Sequence, residues 1–400
     1  MAEAALKPQR GKSLFRLAAM AGALVLSACS TLIPRGAPPV QPPPKQPTTS
    51  APAPVEPGIP QDQQRHRVAL LVPLSGSNAG VGQSLANATQ LALLDTKSEK
   101  VRITTYDTAG GAAQAARRAI ADGNGLILGP LLSENVRAVA PIARSAHVPV
   151  ISYSNDVDAA GNGAFIMGYT PNQSIERVVD YAVKSGITQF AGLVPKGLYG
   201  ERASAAFVRA ARDAGGQIVS IQNYDRSRAS INAAVGRFPS TSPFQAVLIA
   251  DSAGTAAVAV PQIRKTAVGG NARVLGTELW NTDSAVGDEA ALNGAWFASV
   301  PDGLYRQYAT KYRTRFGKAP YRLSSIGYDS VLLTVRIARE WPMGRPFPMN
   351  ALMDKDGFAG LDGAFRFDRN GVAQRMLEVQ EIRGGQTVTI SPAPRSFANQ

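Results

Sequence analysis

The sequence predicts an α/β protein with two doubly wound, Rossmann-like lobes preceded by a disordered segment, and three observations predict it. Between His66 and Gln400, short apolar runs alternate with amphipathic stretches, the pattern of parallel strands covered on both faces by helices. The same rhythm restarts after residue 171. The first 65 residues carry no alternation that could bury a core, as expected of chain that cannot offset its ordering entropy.

In chain order, HRVALLVPL from His66 reads as a strand, because its unbroken apolar run suits burial on both faces. VGQSLANATQLALLD follows as a helix with its apolar residues on one side. VRITTYD (strand), AAQAARRAIADG (helix) and GLILGP (strand) continue the series. SENVRAVAPIARSA is a helix whose Ser133 is placed to cap its N-terminus, and VPVISYS is the next strand. The second series begins with the helix PNQSIERVVDYAVKSG and the strand TQFAGLVPK. It runs on through YGERASAAFVRAARDAGG, QIVSIQNY, SINAAVGRF, FQAVLIAD, AGTAAVAVPQIRKT and ARVLGTE, helix and strand in turn. The end of the chain changes character. YRQYATKYRTRFGK and SSIGYDSVLLTVRIAREW read as helices, and GAFRFDRNGVAQRMLEVQEIR as strands turning at Asn370 and Gly371.

Residues 68–82, VALLVPLSGSNAGVG, place a glycine-rich turn between a strand and a helix, where proteins often hold phosphates. A P-loop needs a Lys after its last glycine, but Gln83 and Ser84 follow Gly82. A dinucleotide fingerprint needs a third glycine where Leu85 stands. The turn is therefore read as structural, with Gly76, Gly80 and Gly82 allowing tight turning and Ser75, Ser77 and Asn78 facing a cleft.

Residues 1–28 carry Lys7, Arg10, Lys12 and Arg16 before the apolar run Leu17–Leu26. That run is too short to span a bilayer and reads as an export signal. It closes on LSAC, with the only cysteine of the chain at position 29, and it resembles the lipobox of bacterial lipoproteins. The resemblance implies that Cys29 is acylated, and Ser30 after it resembles sorting to the outer membrane. No thiol then remains for disulfides, metals or catalysis. From Cys29 to Arg65 the chain is a proline-rich linker, with eleven prolines between Thr31 and Arg65. In extended polyproline form it reaches on the order of 100 Å. The 42 Lys and Arg against 29 Asp and Glu give +13; without the four cations and Glu3 of the signal the balance is +10. These cations are scattered, without aromatic stacking platforms, which argues against nucleic acid and leaves general attraction to anionic envelope polymers or headgroups.

Five stretches then carry a family resemblance: VALLVPLSG with its turn and helix, LGPLLSENVRAVAPIARSAHVPVIS, LYGERASAAFVRAARDAGGQIV, VLGTELWN, and FAGLDGAFRFDRNG. In this order they resemble the type I periplasmic-binding fold of branched-chain amino-acid receptors, over residues 66 to about 392. Within that group, a lipoprotein with the PLSG opening is similar to the penicillin-binding-protein activator family, outer-membrane lipoproteins that bind and stimulate a peptidoglycan synthase. The resemblance implies hinge-linked lobes at about 66–171 with 301–359 and about 172–300 with 360–392, then a tail at 393–400. It also implies a ligand cleft at the strand ends, with Ser133, Ser154, Asn155, Tyr199 and Glu278 at the receptors' amino-acid-holding positions. Ser133 and its helix N-terminus suit a carboxylate, and Glu278 an ammonium. An N-cap role for Ser133 and a packing role for Tyr199 stay open beside this. Two positions depart from the receptors: Tyr153 stands in place of a proline, with bulk to fill the cleft, and Asp251 and Ser252 stand where an aromatic is usual.

His66 and His147 form no metal-spaced pair and read as solvated polar residues, and no Ser/His/Asp set is evident. No cofactor, metal or catalytic activity is expected. The leading expectation is a regulator on the periplasmic side of the outer membrane whose partner is a bifunctional penicillin-binding protein, with peptidoglycan or a small amino-acid-like ligand as further contacts. The alternative is a solute receptor feeding an ABC transporter.

Overall fold

A computed structural model describes residues 64–397 apart from Ser284. Cys29 and the linker lie outside the described residues. The first sheet has five parallel strands in the order β2-β1-β3-β4-β5: β1 His66–Val72, β2 Val101–Asp107, β3 Leu126–Leu128, β4 Val150–Ser152 and β5 Ala164–Ile166. Alternate residues of β1 feed two separate cores. Val68, Leu70 and Val72 face α1 (Ala79–Thr96), and Ala69 and Leu71 face α2 (Ala112–Ala121) and α3 (Ser133–Ser145). That two-sided burial is why the strand reads as one unbroken apolar run.

The second sheet repeats the plan with β6 Gln189–Pro195, β7 Gln217–Tyr224, β8 Ala246–Ile249, β9 Arg273–Gly276 and β10 Trp296–Ser299. Its helices are α4 Pro171–Lys184, α5 Leu198–Ala214, α6 Arg228–Gly236 and α7 Ala253–Ile263. Ala191 and Leu193 of β6 pack toward α6 and α7, whereas Phe190 and Val194 pack toward α4 and α5.

The rest of the chain crosses between the lobes. After β10 it returns to the first lobe as α8 Gly303–Phe316 and α9 Ser324–Ala338, whose Tyr308, Tyr312, Ile326 and Val331 complete the core beside α1. A small antiparallel sheet follows, β11 Phe358–Gly360, β12 Gly363–Phe367 and β13 Ala373–Arg375. Then β14 Glu378–Arg383 and β15 Gln386–Ser391 add antiparallel strands to the second sheet, giving the order β15-β14-β10-β9-β8-β6-β7.

Several expectations shift here. The return to the second lobe, expected at 360, comes after Arg375, because Phe365, Phe367 and Ala373 bury in the first lobe's core. Sequence reading passed over β5, β10, β11 and β15. His66 is buried rather than solvated: its ring stacks on Trp341 with centroids 3.8 Å apart, and its Nε2 lies 3.0 Å from the Trp341 carbonyl oxygen. Burial lowers its pKa. His147 is exposed, as expected.

Of the three glycines in the opening turn, Gly76 alone has a left-handed backbone (φ +74°). Gly82 serves close approach instead, since a Cβ there would sit 1.7 Å from the Pro73 carbonyl oxygen. The second lobe repeats the device: a Cβ on Gly200 would meet the Pro195 carbonyl oxygen at 1.6 Å.

Candidate functional site at the hinge

The lobes meet at three connections, β5 to α4 through Tyr169, β10 to α8 through Asp302, and β13 to β14 through Leu377. Arg322, just before α9, ties Tyr169 and Asp302 of the first two connections to Asp362 between β11 and β12. It is buried (7 % exposed). Its Nη1 donates to Asp362 Oδ1 at 2.8 Å and to Ser325 Oγ at 2.9 Å, and its Nη2 lies 3.3 Å from Asp302 Oδ1. Tyr169 donates its hydroxyl to Asp362 Oδ2 at 2.5 Å. Burial pushes the Asp362 carboxyl up, but the Arg322 and Arg375 charges outweigh it and hold it below the ordinary carboxylate range. Asp329, buried on α9, accepts from the backbone N–H of Leu361 at 2.6 Å; burial and the nearby Asp362 charge push its carboxyl up.

On the second-lobe side, Glu278 follows β9 at the strand's carboxyl end. Its Oε2 accepts from Ser174 Oγ of α4 at 2.7 Å, and its Oε1 from the Tyr199 hydroxyl of α5 at 3.0 Å. Tyr199 also lies 3.0 Å from Thr277 Oγ1. Burial pushes the Glu278 carboxyl up to about 7, against the opposing hydrogen bonds from Ser174, its own N–H, Tyr199 and Thr277. Burial and the Glu278 charge together raise the Tyr199 hydroxyl well above its ordinary value.

Glu278, Ser174, Gln173, Tyr169, Arg322 and Arg375 are among the residues that line one hinge cavity of about 20 Å³, room for about one water. A separate ion-pair group joins the lobes. Arg202 of α5 reaches across to Asp156, 2.5 Å away, and to Asp158 at 2.7 Å, both on the loop after β4. Arg137 of α3 also holds Asp156, at 2.5 Å. Asp156 is buried (2 % exposed); burial raises its carboxyl, and Arg202 and its other partners outweigh this and lower it.

The residues anticipated from sequence divide by lobe. Tyr199 and Glu278 meet, as described. Asp251 lies near them but is engaged elsewhere, accepting from the Tyr224 hydroxyl at 2.7 Å and Arg226 Nε at 3.0 Å. None of the first-lobe residues lines the hinge cavity. Ser75 donates to Asp107 Oδ2 at 3.1 Å, Ser77 is exposed, and Asn78 precedes α1 without a side-chain capping bond. Ser133 is the first residue of α3 rather than its N-cap, which is Leu132. Ser154 spends its hydroxyl on the backbone N–H of Asp156 at 3.1 Å, and Asn155 is exposed. Tyr153 does not fill the cleft. It is 1 % exposed inside the first-lobe core, its hydroxyl 2.9 Å from Ser330 Oγ of α9.

Sequence reasoning missed Arg322, Arg375, Tyr169, Asp362, Ser174, Arg202 and Asp156. Five of them lie on connections or at element ends, where no period marks a partner.

A double-wound pair of lobes joined by three connections, with polar groups at the strand ends between them, defines a periplasmic-binding architecture. A family model described as "Periplasmic binding protein" matches residues 66–386, and the chain belongs to that family. Among solved structures, a putative branched-chain amino acid ABC transporter protein from Rhodospirillum rubrum is similar at 22 % identity and TM-score 0.71, over 82 % of this chain and all of that one. Full-length LpoA from Haemophilus influenzae is similar at 19 % identity and TM-score 0.63, over 83 % of this chain and 60 % of that one. A curated relative, the uncharacterized protein RP748 of Rickettsia prowazekii, is 25 % identical over 146 residues, 36 % of this chain. The match spans 39 % of that relative's length. No helix among the described residues is long and apolar enough to cross a membrane.

Proposed function

We propose that this chain is a non-enzymatic envelope regulator that binds and stimulates a peptidoglycan synthase of the penicillin-binding-protein class, working from the periplasmic side of the outer membrane on a lipid attached at Cys29. The observation that carries this reading is that the lobes are held by the protein's own charges. In a solute receptor the ligand joins the lobes, and closure depends on its preferring the closed state. Here the Arg202–Asp156 pair does that work, and the hinge cavity of about 20 Å³ is far below the several hundred Å³ of a solute pocket. A domain whose lobes are joined by its own side chains suits recognition by a macromolecule. The likeness of fold to full-length LpoA, and the resemblance of the opening stretch and lipobox to penicillin-binding-protein activators, support the same reading.

The test is reconstitution with a purified bifunctional penicillin-binding protein. Saturable binding and faster glycan polymerisation or crosslinking are expected. Neither binding nor stimulation, together with micromolar amino-acid binding that Glu278→Gln abolishes, would overturn the reading in favour of a solute receptor.

A further inference from the structure

Tyr321 is the one aromatic residue among the described residues that stands exposed, with 56 % of its surface open. The other rings are buried or half-buried in the cores and at the hinge. Tyr321 is nevertheless held in place. Its backbone N–H donates to Ser84 Oγ of α1 at 3.0 Å, and its carbonyl oxygen accepts from Ser324 Oγ at 2.6 Å. The outer end of the ring rests against Gly80, where an added Cβ would come 2.9 Å from the hydroxyl oxygen. The middle glycine of the opening turn thus leaves room for a ring at the start of α1.

This ring stands on the rim of a groove of about 840 Å³ between the lobes, the size of a small-ligand site. The groove lies next to the hinge cavity, with which it shares Asn281, Thr282 and Arg322, and neither Tyr199 nor Glu278 lines it. The first lobe supplies Tyr305, Arg306 and Tyr321, and the second Asn281, Gln386 and Thr387. Among the described residues, the side chains of Arg306, Gln386 and Thr387 make no hydrogen bond, and neither does the Tyr321 hydroxyl. Val286, on the same lining, is buried, so the tyrosines with Ala319 and Pro320 provide the apolar surface. An amphipathic helix docks through a row of apolar anchors, and this groove offers it no exposed aliphatic row. The exposed charges of the lining are Asp283 and Asp288 against Arg306, while Arg322 lies 3.3 Å from Asp302. A chain with 42 Lys and Arg against 29 Asp and Glu therefore shows no excess of positive charge here, which disfavours a polyanion.

We propose that the groove binds an uncharged oligosaccharide, with one sugar ring lying on Tyr321 and its hydroxyls bonded to Arg306 of the first lobe and to Gln386 and Thr387 of the second. A sugar ring is apolar on its C–H faces and hydroxylated around its edge. Its C–H groups meet the negative face of the tyrosine ring, and the free amide, hydroxyl and guanidinium groups both donate to and accept from its hydroxyls. Because Tyr321 is already fixed, little freedom is lost on contact. A glycan held by both walls bridges the lobes. This proposal stands apart from the action on a peptidoglycan synthase. Glycan binding without synthase stimulation supports it alone, and stimulation without glycan binding overturns it alone.

The test is calorimetry of the whole protein with chitohexaose and cellohexaose, uncharged oligosaccharides that differ in their N-acetyl groups. Saturable binding of one or both is expected, with an affinity that added salt leaves unchanged, and the preferred probe names the sugar. Tyr321→Ala weakens binding by about tenfold, whereas Tyr321→Phe, which keeps the ring, weakens it by less than about threefold. Val208→Ala, exposed on α5 away from the groove, leaves it unchanged. Should Tyr321→Ala fail to fold, saturation-transfer NMR on the unaltered protein decides the matter, since saturating aromatic protons should pass signal to the C–H protons of the bound sugar. Binding of neither sugar, binding equally present in Tyr321→Ala, or the absence of transfer from aromatic protons overturns the proposal. So does binding confined to an anionic polymer such as polyglutamate or to a proline-rich peptide.

Discussion

The two lobes start from the same plan and end differently. Each opens on an apolar strand that closes in Val-Pro, Val72-Pro73 and Val194-Pro195, followed by a helix whose glycine, Gly82 or Gly200, rests on the proline carbonyl. In the first lobe the polar groups near the strand ends, Ser75, Ser77, Asn78 and Ser133, are solvated or held in local turns. In the second lobe they converge: Tyr199, Thr277 and Glu278 bury together with Ser174. The same scaffold can therefore keep a site on one lobe and lose it on the other. What decides is whether neighbouring side chains enclose the strand ends.

The largest effect is expected from removing the buried cation beside the hinge. Arg322→Met leaves Asp362 buried without its main partner and should cost about 3–5 kcal/mol. Denaturant unfolding followed by Trp341 in the first lobe should report the loss. Glu278 probes the lobe that kept its polar cluster. Its folded carboxyl titrates at about 7 against the ordinary 4.5, so the folded state holds the proton more tightly than the unfolded chain. The stability this provides is complete below about pH 4.5 and lost as pH rises through about 7. We expect a fall on the order of 2–3 kcal/mol between pH 5 and 8, which Glu278→Gln removes. Asp329, also raised, contributes a fall of the same sign that the substitution leaves in place.

Gly82→Ala and Gly200→Ala test the likeness of the lobes. Each places a methyl group against a proline carbonyl, and each should cost about 2 kcal/mol in thermal or urea unfolding. A marked inequality between them would break the comparison. Arg202→Gln should cost about 1 kcal/mol in stability, because Arg202 remains partly exposed, but small-angle scattering should report a larger radius of gyration if this pair holds the lobes closed. The smallest effect belongs to Ser133→Ala. With Leu132 at the cap position and only an exposed 3.5 Å contact from Arg137 to the hydroxyl, a change under about 0.5 kcal/mol is expected.

Much of this fold was legible because strands buried on both faces and helices with one apolar side write their period into the sequence. The resemblance to the receptors pointed to Tyr199 and Glu278, and the two side chains meet; Glu278 also sits at the carboxyl end of a recognisable strand, where α/β proteins gather polar groups. β5 and β10 follow the preceding strand through short 3-10 turns and no amphipathic helix, so the alternation that marked the equally short β4 and β9 did not mark them. Tyr153 was misplaced for another reason: a bulky residue at a strand end can turn toward the core or the cleft, and Ser330, on a helix 177 residues later, offered its hydroxyl a partner in the core.

The sequence by itself determined the alternation of strands and helices and its restart at the second lobe. Only the tertiary structure decided that the lobes are fastened by their own charges and that two guanidiniums share one small cavity. Tyr169 and Asp362 are 193 residues apart in the chain, and Arg322 and Arg375 stand among many arginines that look alike in sequence. Periodicity is a local property set by the geometry of a helix or strand. The pairing of charges on connecting segments is fixed only when distant parts of the chain are packed together and water is removed from between them.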